Sequence, residues 1–134
     1  MATELPISIK AVVSIGGAVL LARNARAEWE LLGGQPESSE SPRETVRREV
    51  AEEAGIDVVI SESPLDAYVF DVIPSEGHQV FIVTYDADDL PAGTTYRASA
   101  EHQALELFSV EEALGLDDLP PGYKASIRLA RLAR

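Results

Sequence analysis

Three glutamates, Glu49, Glu52 and Glu53, are the residues whose type and spacing point most directly to chemistry. Residues three and four positions apart share one side of a helix, so like charges at this spacing repel by roughly 0.2–0.5 kcal/mol for each close pair. Glu52 and Glu53 would also lie in the last turn, where the helix macrodipole disfavours negative charge by about 0.3–1 kcal/mol each. A divalent cation would compensate for this repulsion, and carboxylate oxygens suit Mg²⁺ or Mn²⁺.

The helix that must carry these carboxylates is predicted over Pro42–Ala54. Ser41 is a good N-cap, and Glu44 completes a Ser-x-x-Glu capping box with it. Proline suits the first helical position, and Gly55 suits a left-handed end of the helix. Both boundaries are therefore marked by residues whose local chemistry favours them.

Apolar residues of this helix form a stripe that borders one of the glutamates. At about 100° per residue, Val46, Val50 and Ala54 lie together, and Glu53 abuts their stripe instead of facing away from it. A purely solvated acidic face would lie on the opposite side of the helix. From this cluster alone, an ordinary solvated acidic helix stays an alternative interpretation.

Composition excludes several other kinds of chemistry. The chain has 134 residues, with 23 acidic and 11 basic side chains, a formal net charge of −12 and no cysteine. The lack of cysteine excludes disulfides, thiolate metal sites and a thiol nucleophile. A surface this negative repels nucleic acid and anionic lipid unless a bound cation reverses the sign locally.

Length and hydropathy patterning favour one domain over residues 1–134. Hydrophobic residues make up 46% of the chain and charged residues 25%, and we find no internal repeat or long linker. Residues 1–10 lack a basic segment followed by a long apolar run, and no stretch of about 18 or more apolar residues occurs. We therefore expect a cytoplasmic protein without a membrane span.

Strands and helices are predicted to interleave along the chain. The strands are expected over residues 9–15, 18–22, 28–32, 57–60, 66–73, 79–85 and 104–108. In the first strand the odd-numbered residues form the better-buried face, and Lys10 lies on the other. Two more helices are expected, one from Ser109 to near Gly115 and one over residues 123–132. Two connections are too short for a crossover helix, which predicts an α/β fold with a mixed sheet and helices on both faces.

The segment around the glutamates follows a fixed pattern. It reads Gly34-x5-Glu40-x7-Arg48-Glu49-Val50-x-Glu52-Glu53-x-Gly55-Ile56. This pattern resembles the signature of the Nudix hydrolases, G-x5-E-x7-R-E-U-x-E-E-x-G-U, where U is aliphatic. Every constrained position is filled over 23 residues, which makes a chance match far less probable than for a short motif. Leu32 and Ser39 stand where the family commonly has Pro and Gly, so the local loop geometry is expected to differ.

The resemblance implies a Nudix-type α/β/α sandwich, in which a mixed β-sheet lies between helices and the motif forms a loop–helix–loop. It also implies a site for Mg²⁺ or Mn²⁺, with the number of ions left open. The ligands carried over by position are Glu49, Glu52, Glu53 and the backbone carbonyl of Gly33.

Further site residues are implied by the same resemblance. Glu40 and Arg48 would hold the loop and orient the ligands, which places Arg48 in the catalytic site. The general base stays open between Glu53 and Glu49 in the motif and Glu101 in a downstream loop. For Glu101, an ordinary solvated loop residue is the alternative interpretation.

The implied activity is metal-dependent hydrolysis of a pyrophosphate bond in a small nucleoside diphosphate derivative, such as a nucleotide, ADP-ribose or a nucleotide sugar. The alternative is a non-catalytic domain of the same fold that binds a nucleotide as a sensor. Isoprenoid diphosphate isomerases of the family rely on a cysteine, which this chain lacks. A stable nucleic acid partner is disfavoured because few cations cluster outside the last helix. The oligomeric state stays open, with a homodimer common among relatives.

Overall fold

The computed structural model describes residues 4–99 and 104–133 of the chain. A 3-10 turn over Pro74–Glu76 separates two of the strands. The elements in chain order are β1 (Ile7–Val12), β2 (Ser14–Ile15), β3 (Ala18–Arg23), β4 (Trp29–Glu30), β5 (Leu32–Gly34), α1 (Pro42–Ala54), β6 (Ile60–Ile73), β7 (His78–Ala87), β8 (Ala104–Phe108), α2 (Val110–Leu114) and α3 (Pro121–Leu132).

The described strands form two sheets. The first has the order β5-β1-β7-β6, in which β1 is parallel to β7 and the other neighbours are antiparallel. In the second sheet β3 pairs with β2, β4 and β8, always antiparallel. The first sheet is therefore mixed, and the predicted α/β class is confirmed.

Helices cover the strands on both sides. Val46 and Val50 of α1 pack with Ile9 of β1 in one apolar cluster. Ile127 of α3 packs with Val12 of β1 in a second cluster, which also contains α2 residues. Successive residues of a strand point to opposite faces, so β1 contributes to both clusters. Within residues 4–99 and 104–133, no helix has the combination of length and apolarity that crossing a membrane requires.

The first helix has the boundaries that its sequence predicts. The Ser41 hydroxyl accepts a hydrogen bond from the Glu44 N–H, and the Glu44 carboxylate accepts one from the Ser41 N–H. At the other end Gly55 adopts a left-handed conformation with φ of 68°, and its N–H donates to the carbonyl of Ala51. The predicted capping box and glycine C-cap are both confirmed.

Two predicted strands are each divided in the structure. The strand predicted over residues 9–15 breaks at Val13, and the one over residues 28–32 breaks at Leu31. In each case the chain leaves one sheet and enters the other at the break. Strands commonly bend where they pass between packed sheets. Val13 and Leu31 are both fully buried, so apolar patterning alone did not reveal these bends.

The separate strand predicted over residues 57–60 was wrong. Residues 57–59 belong to no strand, and Ile60 instead begins β6, which continues through Pro64 with shifts in register. Proline normally interrupts a strand because it lacks the N–H donor. Here β6 is the edge of its sheet, where proline is tolerated, and the register shifts on both sides of Pro64.

Candidate functional site

Two consecutive glycines allow β5 to approach both β1 and α1 closely. At Gly33, φ is +151°, and a Cβ atom would collide with the carbonyl oxygen of Ile9. At Gly34, a Cβ atom would lie 2.5–2.8 Å from the carboxylate atoms of Glu49. A side chain at either position would therefore displace β1 or the Glu49 carboxylate.

Glu53 is a buried carboxylate in the last turn of α1. It is only 5% exposed, and its Oε1 accepts a hydrogen bond of 3.2 Å from the Gly33 N–H. Burial raises the pKa of Glu53 to about 8, although the charge of Lys10 and the Gly33 N–H both lower it. The predicted position of Glu53 beside the apolar stripe is confirmed. Together with Glu49, it brings two carboxylates to the Gly33–Gly34 backbone.

Arg48 connects the carboxylates of α1 to the preceding loop. Its Nε and Nη2 donate to the two oxygens of Glu40, at 2.7 and 3.0 Å, and Nη2 also donates to the Gln35 carbonyl at 3.1 Å. Its Nη1 donates to Glu49 at 2.8 Å and to Glu52 at 3.2 Å. The Arg48 guanidinium lowers the pKa of Glu40 to about 2, so Glu40 stays ionised and fixes the arginine.

The acidic side chains do not form a closed ligand cluster in this arrangement. Among the described residues, no group of three or more His, Cys, Asp or Glu side chains is placed to hold a metal ion as it stands. The Nη1 of Arg48 occupies the space between Glu49 and Glu52, while Glu53 turns towards Gly33.

The donor chemistry nevertheless fits a hard divalent cation. Carboxylates and a backbone carbonyl are the oxygen ligands that Mg²⁺ and Mn²⁺ prefer. Glu52 is the ligand candidate with most room to move, since its side chain is 58% exposed. Glu49, Glu52 and Glu53 project from α1 within about one helical turn of one another. A metal site made by these residues stays a prediction.

Glu101, the downstream candidate for the general base, lies outside the described residues. The segment that leads towards it contacts the C-terminal end of α1. The N–H groups of Arg97 and Ser99 donate to the carbonyls of Ala54 and Glu53, at 3.0 and 3.1 Å respectively. The described chain therefore runs beside the motif up to two residues before Glu101.

Comparison with known proteins assigns the chain to a family. Residues 6–130 match the family profile described as the NUDIX domain. The chain belongs to the Nudix family. It is similar to the CTP pyrophosphohydrolase of Escherichia coli strain K12, with 33% identity over 113 residues that cover 79% of this chain and 77% of that protein.

Solved structures share both the Nudix fold and part of the sequence. The MutT protein of Methanosarcina mazei Go1 has a TM-score of 0.78 and 29% identity, and 99% of each chain is covered. The solution structure of the E. coli ORF135 protein has a TM-score of 0.73 and 29% identity, covering 98% of this chain and 91% of that one.

A cleft of about 230 Å³ lies beside the Nudix motif. Gln35, the residue that follows the first glycine of the motif, lines one part of it. Phe70 and Tyr123 line another part, and their rings stack with centroids 6.4 Å apart. Lys10, Arg26, Glu30 and His78 also line the cleft, so its lining combines apolar and ionisable side chains.

Lys10 and Glu30 were missed as site candidates in the sequence. The pattern predicted Lys10 on the less buried face of its strand, but both faces of β1 are covered and Lys10 is only 7% exposed. Its Nζ lies 4.0 Å from Oε2 of Glu30. A single charged residue in an otherwise apolar strand was the available signal, because a buried lysine needs a partner.

Proposed function

We propose that this Nudix protein is a Mg²⁺- or Mn²⁺-dependent pyrophosphohydrolase of a small nucleotide, with CTP as the first candidate substrate. The observation that carries the proposal is the meeting of the Glu49 and Glu53 carboxylates at the Gly33–Gly34 backbone. The intact Nudix motif supports hydrolysis, and the relative named as a CTP pyrophosphohydrolase supports the choice of nucleotide.

The residues of the motif would share the work of holding the ion and the substrate. Glu49, Glu52, Glu53 and the carbonyl of Gly33 would be the ligands. A bound divalent ion neutralises phosphate charge and makes water more acidic. Arg48 would orient the ligands through its bonds to Glu49 and Glu52.

In the proposed reaction, a water oxygen forms a bond to a phosphorus atom of the diphosphate, and the bond from that phosphorus to the bridging oxygen breaks. CTP would yield CMP and pyrophosphate. The water proton passes to a carboxylate, and Glu53 is our first candidate because it is buried beside Gly33. Glu49 and Glu101 are the other candidates. A positioned base contributes about 10²–10⁴-fold to the rate.

Product release from a substrate panel tests this proposal. CTP, dCTP, the other nucleoside triphosphates, ADP-ribose, a nucleotide sugar and a dinucleoside tetraphosphate would be incubated with Mg²⁺, with Mn²⁺ or with EDTA. We expect turnover only with metal, and the highest kcat/KM for a cytidine nucleotide. Glu49→Gln should abolish most of this turnover, whereas Glu62→Gln, at an exposed position on β6, is the matched control.

Two results would contradict the proposal. Turnover that persists in EDTA would remove the role of the metal. Tight nucleotide binding without hydrolysis of any substrate, with either metal, would instead favour the sensing domain that shares this fold.

A further inference from the structure

A second cleft, of about 520 Å³, lies at the C-terminal end of α1. Glu52 and Gly55 of the Nudix motif line one side of it, and residues 95–99 line the other. We name it the Arg97 cleft, after the basic residue among the described residues of its lining. Because Glu52 is a proposed metal ligand, the Arg97 cleft adjoins the proposed reaction centre.

Backbone hydrogen bonds hold Arg97 beside the motif. Its N–H donates to the carbonyl of Ala54 at 3.0 Å, and the Ser99 N–H donates to the carbonyl of Glu53 at 3.1 Å. Both acceptors lie in the last turn of α1, where carbonyls have no partner within the helix. These two bonds therefore attach the segment that contains Arg97 to the helix that carries the glutamates.

The side chain of Arg97 is available to an anion from outside the protein. It is exposed, and within residues 4–99 and 104–133 it forms no ion pair. The two arginines of α1 nearest to the glutamates differ, since Arg47 pairs with Asp57 and Arg48 pairs with Glu40. In a chain with a net charge of −12, an arginine without a carboxylate partner is a local site of attraction for anions.

The C-terminal end of α1 requires such a cation before it can hold a phosphate. The helix macrodipole places partial negative charge there, and α1 has no basic residue in its last turn. The carboxylate of Glu52 adds to this negative charge. Arg97 supplies a cation from the neighbouring segment, and the planar fork of donors in a guanidinium matches the oxygens of a phosphate.

We propose that Arg97 binds the terminal phosphate of a nucleoside triphosphate, the phosphate farthest from the base. The cleft near Gln35 has aromatic rings in its lining, whereas the Arg97 cleft has the cation that suits the charged end of a nucleotide. In the proposed reaction the terminal phosphate leaves as part of pyrophosphate, so Arg97 holds the leaving group. Nucleotide sugars and ADP-ribose lack this phosphate, and Arg97 therefore favours triphosphates over them. This inference rests on the proposed function in taking a nucleotide as the ligand of the motif.

Equilibrium binding tests the inference without requiring turnover. Calorimetry with Mg²⁺ would measure the Kd of a CTP analogue and of a CDP analogue, both made non-hydrolysable between the α and β phosphates, so that they differ only in the terminal phosphate. The proteins are the native chain, Arg97→Gln and the control Arg128→Gln, at an exposed position of α3. We expect Arg97→Gln to bind the CTP analogue about 10-fold more weakly, with the CDP analogue changed by less than about twofold. The control should match the native protein with both analogues.

Two further measurements separate a phosphate contact from a structural role. Arg97→Lys keeps the charge without the planar fork, and we expect it to recover part of the affinity that Arg97→Gln loses. Added salt should weaken binding of the CTP analogue more in the native protein than in Arg97→Gln, because the lost contact is between charges. A lower melting temperature of Arg97→Gln, with both analogues weakened equally, would assign Arg97 a structural role and overturn the inference.

The outcomes also separate this inference from the proposed function. Unchanged affinity of Arg97→Gln for the CTP analogue would overturn the inference even if CTP is hydrolysed. A loss confined to the CTP analogue would uphold the inference, even if no substrate in the panel is hydrolysed and the proposed function fails. Failure of the native protein to bind either analogue would overturn both.

Discussion

The helices α1 and α3 have similar lengths, 13 and 12 residues, and pack on opposite sides of the strands. They differ in the charges of their last turns and in the polar side chains that they bury. α3 has Arg131 in its last turn, where the helix macrodipole favours a cation. Its buried Ser126 is satisfied by the hydroxyl of Thr84 at 2.7 Å. α1 has no basic residue in its last turn and buries the carboxylate of Glu53.

This difference distinguishes a helix that only stabilises the fold from one that also carries chemistry. In α3 the charges and buried polar groups agree with local preferences. α1 is better capped than α3, whose N-terminus has no side-chain cap, but its glutamates oppose both the helix macrodipole and one another. Violations of local rules concentrate at functional sites, so the contrast supports α1 as the site of metal binding.

The largest expected effect is a loss of kcat that occurs for a variant of α1 and not for a variant of α3. Glu53→Gln should lower kcat with Mg²⁺ by about 10²–10⁴-fold, because it removes a metal ligand or the general base. Arg128→Gln, on the exposed face of α3, should leave kcat within about twofold. Steady-state rates on the best substrate of the panel measure both. Equal rates for the native protein and Glu53→Gln would contradict the assignment of α1.

A core variant of α3 should affect stability instead of chemistry. Ile127 is 1% exposed in the cluster beneath α3, and Ile127→Ala should lower the free energy of unfolding by about 2–5 kcal/mol. Urea denaturation measures this loss. At a temperature where the variant remains folded, its kcat should equal that of the native protein. A selective loss of kcat in a folded variant would indicate that α3 also positions the catalytic site.

Acidity provides a test of the buried carboxylate of α1 in the metal-free protein. The pKa of Glu53 is raised to about 8 in the folded state from an ordinary value of 4.5, so the folded state binds more protons between these values. The contribution of Glu53 to stability should therefore decrease as the pH rises from about 4.5 to about 8. Urea denaturation in EDTA should show Glu53→Gln gaining stability relative to the native protein between pH 5 and pH 8. If the difference in stability between the two proteins does not change with pH, burial does not raise the pKa of Glu53.

The smallest expected effect concerns the N-cap of α1, which stabilises the helix and takes no part in catalysis. Ser41→Ala removes the N-cap hydroxyl and should cost about 1 kcal/mol of stability. Ser109→Ala, which removes the equivalent cap of α2, is the matched variant. Chemical denaturation measures both, and kcat should be unchanged. A large loss of kcat in Ser41→Ala would mean that capping also sets the position of the glutamates.

Features encoded by neighbouring residues could be predicted from the sequence. The boundaries of α1 follow from Ser41, Pro42 and Gly55, and the pairing of Arg48 with Glu52 follows from their spacing of four residues. The mixed sheet followed from connections that were too short for a crossover helix.

Features that depend on distant packing could not be predicted in this way. The breaks at Val13 and Leu31 arise where the chain passes between sheets, which apolar patterning does not encode. The burial of Lys10 depends on elements that cover the second face of β1. The pairing of Arg48 with Glu40 depends on the return of the loop before α1, which brings together residues eight positions apart.

The most direct test is a crystal structure with Mn²⁺ and a non-hydrolysable CTP analogue. We predict an anomalous peak for manganese that is bound by the carboxylates of Glu49 and Glu53, at the Gly33–Gly34 backbone and in contact with the analogue's phosphates. Manganese bound to the analogue at another surface, with Glu53 still bonded to the Gly33 N–H, would contradict the account.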